Sequence, residues 1–390
     1  MTKEEKLAVL NLVFSPTAPI KQKDFFHGRI VQLTKIVEAI NETGQHAILY
    51  GERGVGKTSL ANIMVSSITN LFPVKVTCNR QDDFKSLWKQ AFDSVQFSTT
   101  IQGIGFNPQQ KEEIKTLGQY INKTEDLRPS DIVNLIRQIN GNHFLFVFDE
   151  FDNISNRKTR TSFADLIKSL SDNVSNVTIV IVGIADNVEE LIGSHQSLER
   201  CLKQIKMPRM SSTESSEIIE KGFVQLEINI SNPVKNQIVE FSSGFPHYVH
   251  LLCKYGAKEL IENDRTDFSS AYLKIAIKTG IENTNEQLRL AYQKAINDPK
   301  EDSKWKAVLH ACATSDTDQF NCFKIGEVLK QYNLISGKKV ISNNIIYNLN
   351  QLCTKDRGEI LKKSGKGINT KFRFLNPMMR AFVKLKINCN

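Results

Sequence analysis

"LYGERGVGKTSL", residues Leu49 to Leu60, places three glycines, a lysine and a threonine directly after the apolar run Ala47-Ile48-Leu49-Tyr50. Glycine-rich backbone turns successive N–H groups inward around anionic oxygens, and a lysine beside it adds one fixed positive charge. The spacing Gly51-x4-Gly56-Lys57-Thr58 therefore describes a cradle for a polyphosphate. Its wall is Gly51, Glu52, Arg53, Gly54, Val55, Gly56, Lys57, Thr58 and Ser59, with Lys57 reaching the terminal phosphates and the Thr58 hydroxyl holding Mg²⁺. A chance glycine turn needs no particular flanks. This loop needs a strand before it and a helix after it, and the sequence predicts both, over residues 46–50 and 57–68.

The second half of such a site is "FLFVFDEFD", residues 144–152. Its apolar run is too short for a helix and rich in phenylalanine, which predicts a buried strand ending in Asp149 and Glu150. Carboxylates delivered there stand at the C-terminal edge of the sheet, where α/β proteins bind ligands. Asp149 suits the Mg²⁺ shell, and Glu150 suits a base that takes a proton from water, with Asp152 as the alternative acid. Further strands predicted over 73–78, 178–184 and 204–207 alternate with helical patterns over 30–40 and 162–170. That alternation predicts a parallel α/β core over residues 28–210. Before it, residues 1–27 form a short helix (3–13) and an extended stretch. Residues 97–128, polar and weakly patterned, read as a loop-rich insertion. After Pro208 the strands stop, and the capping-box pattern Ser211 to Glu214 opens a helical segment over 211–298.

At 40% apolar and 24% charged residues, the 390-residue chain has an ordinary globular composition. No apolar run approaches the roughly 18 residues of a membrane span, and the N-terminus has no secretory pattern. Seven scattered cysteines without a CxxC argue against a zinc ribbon or a disulfide framework and predict a cytoplasmic protein, and the lack of an apolar span predicts no membrane partner. The net charge of +9 is concentrated: residues 301–390 carry 16 basic and 7 acidic groups, whereas the first 300 residues carry 35 of each.

With both phosphate-site motifs in order, the chain resembles AAA+ ATPases. More closely, it resembles the origin-recognition and replication-initiator group and its bacterial relatives. "FFHGR" (25–29) matches the motif whose backbone lies near adenine, which implicates Phe26, His27 and Gly28. "TIVIVGIADN" (178–187) matches the strand ending in the first sensor, here Asp186 with Asn187 beside it. "SLERCLKQIKMPRMS" (197–211) matches the segment whose arginine serves a neighbouring subunit's nucleotide, which implicates Arg200, the alternative being a surface arginine paired with Glu199. "SGFPHYVHLL" (243–252) matches the helix of the second sensor, here Pro246 and His247 where the group carries arginine. The resemblance implies an ATPase that binds ATP between core and helical lid and is completed by a second subunit. An acidic first sensor is repelled by phosphate and a histidine is only partly charged at neutral pH, so either Asn187 takes over the first position or turnover is slow. Proline without the arginine in this helix also resembles the STAND signalling ATPases.

Residues 299–390 predict three helices (305–312, 323–332, 343–352) and then a hairpin in "EILKKSGKGINTKFRFL" (359–375). This is the order of a winged-helix domain, which initiator-type ATPases carry at the same place. Lys362, Lys363, Lys366, Lys371 and Arg373 lie on or beside the wing, suited to the phosphates of duplex DNA with little sequence preference. The alternative is a winged helix that binds protein. Two functions are therefore open. One is an ATP-dependent DNA-binding regulator, an initiator-like loader or a component of mobile-element or defence machinery. The other is a STAND-like switch that oligomerises and acts through a partner effector or nuclease without touching DNA.

Overall fold

The run that precedes the glycine loop is an inner strand of a five-stranded parallel sheet. The structure, a computed structural model, describes residues 1–16, 19, 28–68, 71–102, 110–121, 126–138, 143–174, 176–193, 198–283, 286–297, 302–318, 321–337, 340, 342–365, 367–376 and 378–388. These fall into two compact units, Pro19–Pro208 and Met1–Ala18 with Arg209–Asn390. The first helix, α1 (Lys3–Val13), thus belongs with the second half of the chain although it precedes the first.

In the unit Pro19–Pro208, α2 (Ile30–Asn41) leads into β1 (His46–Gly51), α3 (Lys57–Ser67), β2 (Leu71–Thr77) and α4 (Phe84–Asp93). An antiparallel pair follows, β3 (Gln96–Gln102) with β4 (Gln110–Thr116). Then come α5 (Gly118–Ile121), α6 (Pro129–Arg137), β5 (His143–Asp149), α7 (Arg157–Asn173), β6 (Val177–Ile184), α8 (Glu189–Ile192) and β7 (Leu202–Lys206). The parallel sheet has the order β2-β5-β6-β1-β7. Where a loop-rich insertion was expected over 97–128, the described residues 97–102 and 110–116 are paired strand and 118–121 are helical. The alternating, β-branched stretch after Phe97 pairs with a polar partner strand, which a reading of apolar periodicity passes over.

Sheet order explains composition. β5 and β6 have neighbours on both sides and helices over their faces, so they read as unbroken apolar runs. β2 is an edge strand, which is why Pro73 is tolerated inside it. Trp88 of α4 anchors the core, with its ring 5.0 Å from Phe146, 5.3 Å from Phe148 and 5.2 Å from Phe92. Register sets Gly51 beside Ile184 and Asp149 beside Thr77, so the C-terminal ends of four strands meet at one edge.

In the other unit, α1 packs on α9 (Ser212–Gln225) and on α11 (Pro246–Glu262), with α10 (Asn232–Ser242) between those two in the chain. Phe14 is fully buried edge-on against Phe223, and a Cβ on Gly222 would meet its ring at 2.4 Å. A two-residue parallel pair, β8 (Asn229–Ile230) with β9 (Asp267–Phe268), precedes α12 (Ser270–Glu282) and α13 (Glu286–Ile296). The basic tail folds as α14 (Asp302–Thr314), β10 (Phe323–Lys324), α15 (Ile325–Ser336), α16 (Ser342–Gln351), β11 (Leu361–Ser364), β12 (Lys371–Phe374) and α17 (Met379–Asn388). Phe323, expected to open a helix, instead pairs with Phe372 in the three-stranded sheet β10-β12-β11.

Gly51 closes the sheet onto the loop: at φ +153° a Cβ would stand 2.4 Å from the carbonyl oxygen of Met207. Gly51→Ala should cost about 2 kcal/mol, through that backbone clash. Gly326→Ala, where a Cβ on α15 meets nothing within 4 Å, should be neutral or stabilising by about 0.5 kcal/mol. Urea unfolding of both variants checks the pair, and an unshifted midpoint for Gly51→Ala refutes the close approach.

Candidate functional site

The strand β1 ends in Gly51, and the chain then turns through Gly54 (φ +84°) and Gly56 (φ +95°), which caps α3 in a left-handed conformation that side chains disfavour. Lys57, from the first turn of α3, folds back over this loop. Its Nζ donates to the carbonyl oxygens of Gly51 (3.0 Å) and Glu52 (2.8 Å), and the residue is only 8% exposed. Burial lowers its pKa to about 8, against the opposing pull of Asp152, Asp149 and Glu52. Val55 is buried, and Arg53 is exposed at the rim.

A second cation supports the loop from behind. Arg29 is 1% exposed, and one of its guanidinium nitrogens donates to the Val55 carbonyl at 3.1 Å. It follows Gly28, buried at φ +74°, and itself sits at φ +62° before α2. Of the neighbours implicated by sequence, Phe26 and His27 lie outside the described residues. The residue that touches the loop was missed. Its signal was an arginine set directly before an apolar helix.

Asp149 ends β5 at 2% exposure. Thr58 Oγ1 donates to its Oδ1 at 3.3 Å, and the Glu150 backbone N–H donates to the same oxygen at 3.0 Å. The hydroxyl and carboxylate expected to share Mg²⁺ are thus in contact, and this donor set fits a hard cation. Asp149 Oδ2 makes a 2.9 Å ion pair with Lys75 of β2, whose Nζ also donates to Asn62 Oδ1 at 2.6 Å. Lys75 was also missed, since a single lysine inside "FPVKVT" reads as an outward-facing strand residue. Glu150 is exposed at φ +56° and accepts from Asn153 Nδ2 at 3.2 Å. Asp152 accepts the Ile184 N–H at 2.7 Å, which engages that acid in holding the end of β6.

Past β6, Ala185 N donates to Gly51 O at 3.4 Å, which sets the segment holding Asp186 and Asn187 beside the loop. Asp186 and Asn187 are exposed there. Asn187 Oδ1 accepts from Glu190 N (3.1 Å) and its Nδ2 donates to Glu190 Oε1 (3.3 Å), so this side chain caps α8. Arg200 lies at the opposite edge. It precedes β7, Cys201 O accepts from His46 N at the start of β1, and Arg200 pairs with Asp172 at 2.6 Å rather than with Glu199. One strand length, about 17 Å, separates the two edges. In the other unit, Pro246 opens α11 and His247 Nδ1 is 2.7 Å from Pro16 O. A carbonyl only accepts, so Nδ1 carries the proton, and burial lowers the pKa of this imidazole.

The tail sheet sorts its basic residues by face. Lys362 opposes Arg373, Ser364 opposes Lys371, and Phe372 and Phe374 point inward. Lys371 is ion-paired to Asp318 at 2.8 Å, which raises its pKa. Lys363 donates to Asn350, and Lys366 lies outside the described residues. Among the described residues no cluster of three or more His, Cys, Asp and Glu side chains is placed to hold a metal, and no helix is long and apolar enough to cross a membrane.

The family model described as Novel STAND NTPase 1 matches residues 19–285, and the chain belongs to that family. A Walker-type ATPase of Pyrococcus abyssi shares the fold at TM-score 0.53 and 13% identity, over 95% of this chain and 99% of that one. The ORC1 protein of Aeropyrum pernix, solved with DNA, aligns at TM-score 0.48 and 12% identity over 97% and 96% of the two chains. The Cdc6p protein of Pyrobaculum aerophilum aligns at 0.47 and 13% over 97% and 99%. No curated protein matches. The fold is that of a P-loop AAA+ core, and the family is one of nucleoside triphosphatases.

Lys57 gives the site a pH signature. Near pH 8 the free lysine is half charged, and bound phosphate favours the ammonium, so ATP binding should take up protons at pH 8–9. Below about pH 7, where Lys57 is already charged, its contribution should vanish. Calorimetry in buffers of differing ionisation enthalpy measures the uptake. Zero uptake at pH 8.5 would contradict a buried lysine on the phosphates.

Proposed function

We propose that this member of the Novel STAND NTPase 1 family is a magnesium–ATP switch that hydrolyses slowly and transmits its nucleotide state through assembly with further copies. The carrying observation is the convergence of Lys57, Thr58 and Asp149 at one sheet edge. In this reading Lys57 and the loop N–H groups hold the phosphates, while Thr58 and Asp149 hold Mg²⁺. When bound, that ion neutralises phosphoryl oxygens. Glu150, exposed beside Asp149, orients water and takes its proton. Arg29 supports the loop by fixing the Val55 carbonyl. Slow turnover is favoured by three features: Asn187 is bound to Glu190 at the start of α8, Asp186 is acidic, and neutral His247 donates its one N–H to the Pro16 carbonyl. Arg200, at the far edge, is suited to a neighbour's nucleotide and not to its own.

Glu150→Gln should bind ATP as wild type does and turn it over at least about 100-fold more slowly. Arg200→Ala should bind normally and lose turnover only when assembled. Mixing it with Lys57→Ala should restore part of the activity, one copy giving the site and the other the arginine. Wild-type turnover in Glu150→Gln refutes that residue's role, and mixed assemblies without recovery refute action in trans.

A second reading concerns the tail, and the +9 charge of residues 301–390 favours it. The helices α14, α15 and α16 with a three-stranded sheet, whose first strand β10 stands between α14 and α15 and whose other two form the terminal hairpin, support a winged helix, with Lys362 and Arg373 on one outward face toward duplex phosphates. Without DNA contact, the same surface serves a partner effector. Lys362→Ala should lower the slope of log affinity against log salt by about 0.9, and Lys371→Ala by less, because Asp318 already neutralises it. Filter binding at stated salt with ATP present reads both slopes. A wild-type chain that retains no duplex at low salt removes the DNA reading and leaves the switch intact.

A further inference from the structure

The unit holding Arg209–Asn390 contains a cavity of about 490 Å³ that the nucleotide site does not use. Its walls are the first turn of α9, the second half of α10, the turn at Gly244, the segment before β10, and α17. Gly244 makes the wall tight, since a Cβ there would meet Met210 O at 2.7 Å.

Three cations face this space: Arg209, Arg380 and Lys384. Arg209 lies over the Phe245 ring at 4.6 Å. The Arg380 guanidinium is fixed by donation to Ala313 O (2.8 Å), Ser315 O (2.6 Å) and Thr317 Oγ1 (3.1 Å). Lys384 Nζ is 3.9 Å from the Glu240 carboxylate, which is mostly exposed, and donates to the Glu240 backbone carbonyl at 3.5 Å. Burial, then Arg209, pulls Arg380 down to about 10, while Asp316 opposes them. Lys384 is lowered by burial, by Arg380 and by Arg209, against Glu240. The cations are thus packed against one another's charge. Two serines line the same space. Ser215 is fully buried, and neither its Oγ nor that of Ser243 has a hydrogen-bond partner. Buried hydroxyls without partners are rare, and each destabilises the fold unless a ligand completes it. The positive end of the 14-residue helix α9 adds to the same field, with Glu214 at its cap.

We propose that this cavity is a second anion site, which takes a small, multiply charged phosphoryl compound on Arg209, Arg380, Lys384, Ser215 and Ser243. The volume fits a small molecule and excludes a duplex. Such a ligand bridges α9 and α10 to α17, so it fastens the last helix of the basic tail to the helical segment before it.

The test is calorimetric titration of inorganic pyrophosphate into the full chain carrying Lys57→Ala, which blanks the phosphate loop. One saturable site is expected, weakened about tenfold by Lys384→Gln and again by Ser215→Ala. Ser215→Ala alone should melt no lower than its parent, because the hydroxyl has no protein partner to lose. Monophosphate should bind more weakly than pyrophosphate. The absence of saturable binding, or an affinity unchanged in both single variants, overturns the proposal. So does displacement of pyrophosphate by a short duplex, which would make the cavity part of a DNA face. None of these outcomes bears on ATP binding at Lys57.

Discussion

A carboxylate almost wholly removed from water, Asp149, is the constraint about which the nucleotide half of the molecule is built. A buried charge is strongly unfavourable unless it is paired and hydrogen-bonded. Three partners meet that demand: the Thr58 hydroxyl from α3, the Lys75 ammonium from β2 and the Glu150 N–H that follows it. Two of these come from other elements, so β2 must lie beside β5 and α3 must reach across the end of the sheet. Glycine at 51, 54 and 56 lets the loop turn tightly enough to bring α3 there. The pairing also sets a competition. Lys75 already neutralises one oxygen of a residue that a divalent cation would share, which favours modest metal affinity in the resting site.

The parts of this site that follow from local rules were legible in the sequence. The glycine loop between strand and helix, and the apolar strand ending in two acids, both fold where their patterns place them. What escaped were interactions between distant residues. Arg29 and Val55 are 26 positions apart, and Lys75 and Asp149 are 74. A lone basic residue in an apolar segment carries no mark of the carbonyl or carboxylate it will meet. The pair β3–β4 escaped because polar strands lack the apolar alternation that identifies a half-buried one. Phe323 escaped because an apolar residue ahead of a helix fits either its first turn or a short strand.

The same limit applies to α1. Its amphipathic pattern predicts that one face is covered, but not by what. The structure covers it with α9 and α11, placing Phe14 against Phe223 and Pro16 against His247. A histidine position suggested by resemblance to a phosphate sensor is thereby part of the attachment of the N-terminal segment. The segment matched by resemblance is helical from Pro246, and the His247 ring within it is engaged by the Pro16 carbonyl. The tail shows the same contrast: its charge is visible by counting, and the Asp318 that offsets Lys371 is visible only in three dimensions.

Arg200 and the glycine loop stand at opposite edges of one sheet, and this gives each copy a direction. If that arginine serves a neighbour, copies can associate in two ways that differ in stoichiometry. An antiparallel pair completes both of its sites and stops growing. A head-to-tail row leaves an unserved loop at one end and an idle arginine at the other, so it extends until it closes into a ring. In an open row one copy always lacks its partner's arginine, and the fraction of competent sites rises with length. Catalytic output per copy would then report the size of the assembly, a dependence that arises from sheet polarity alone.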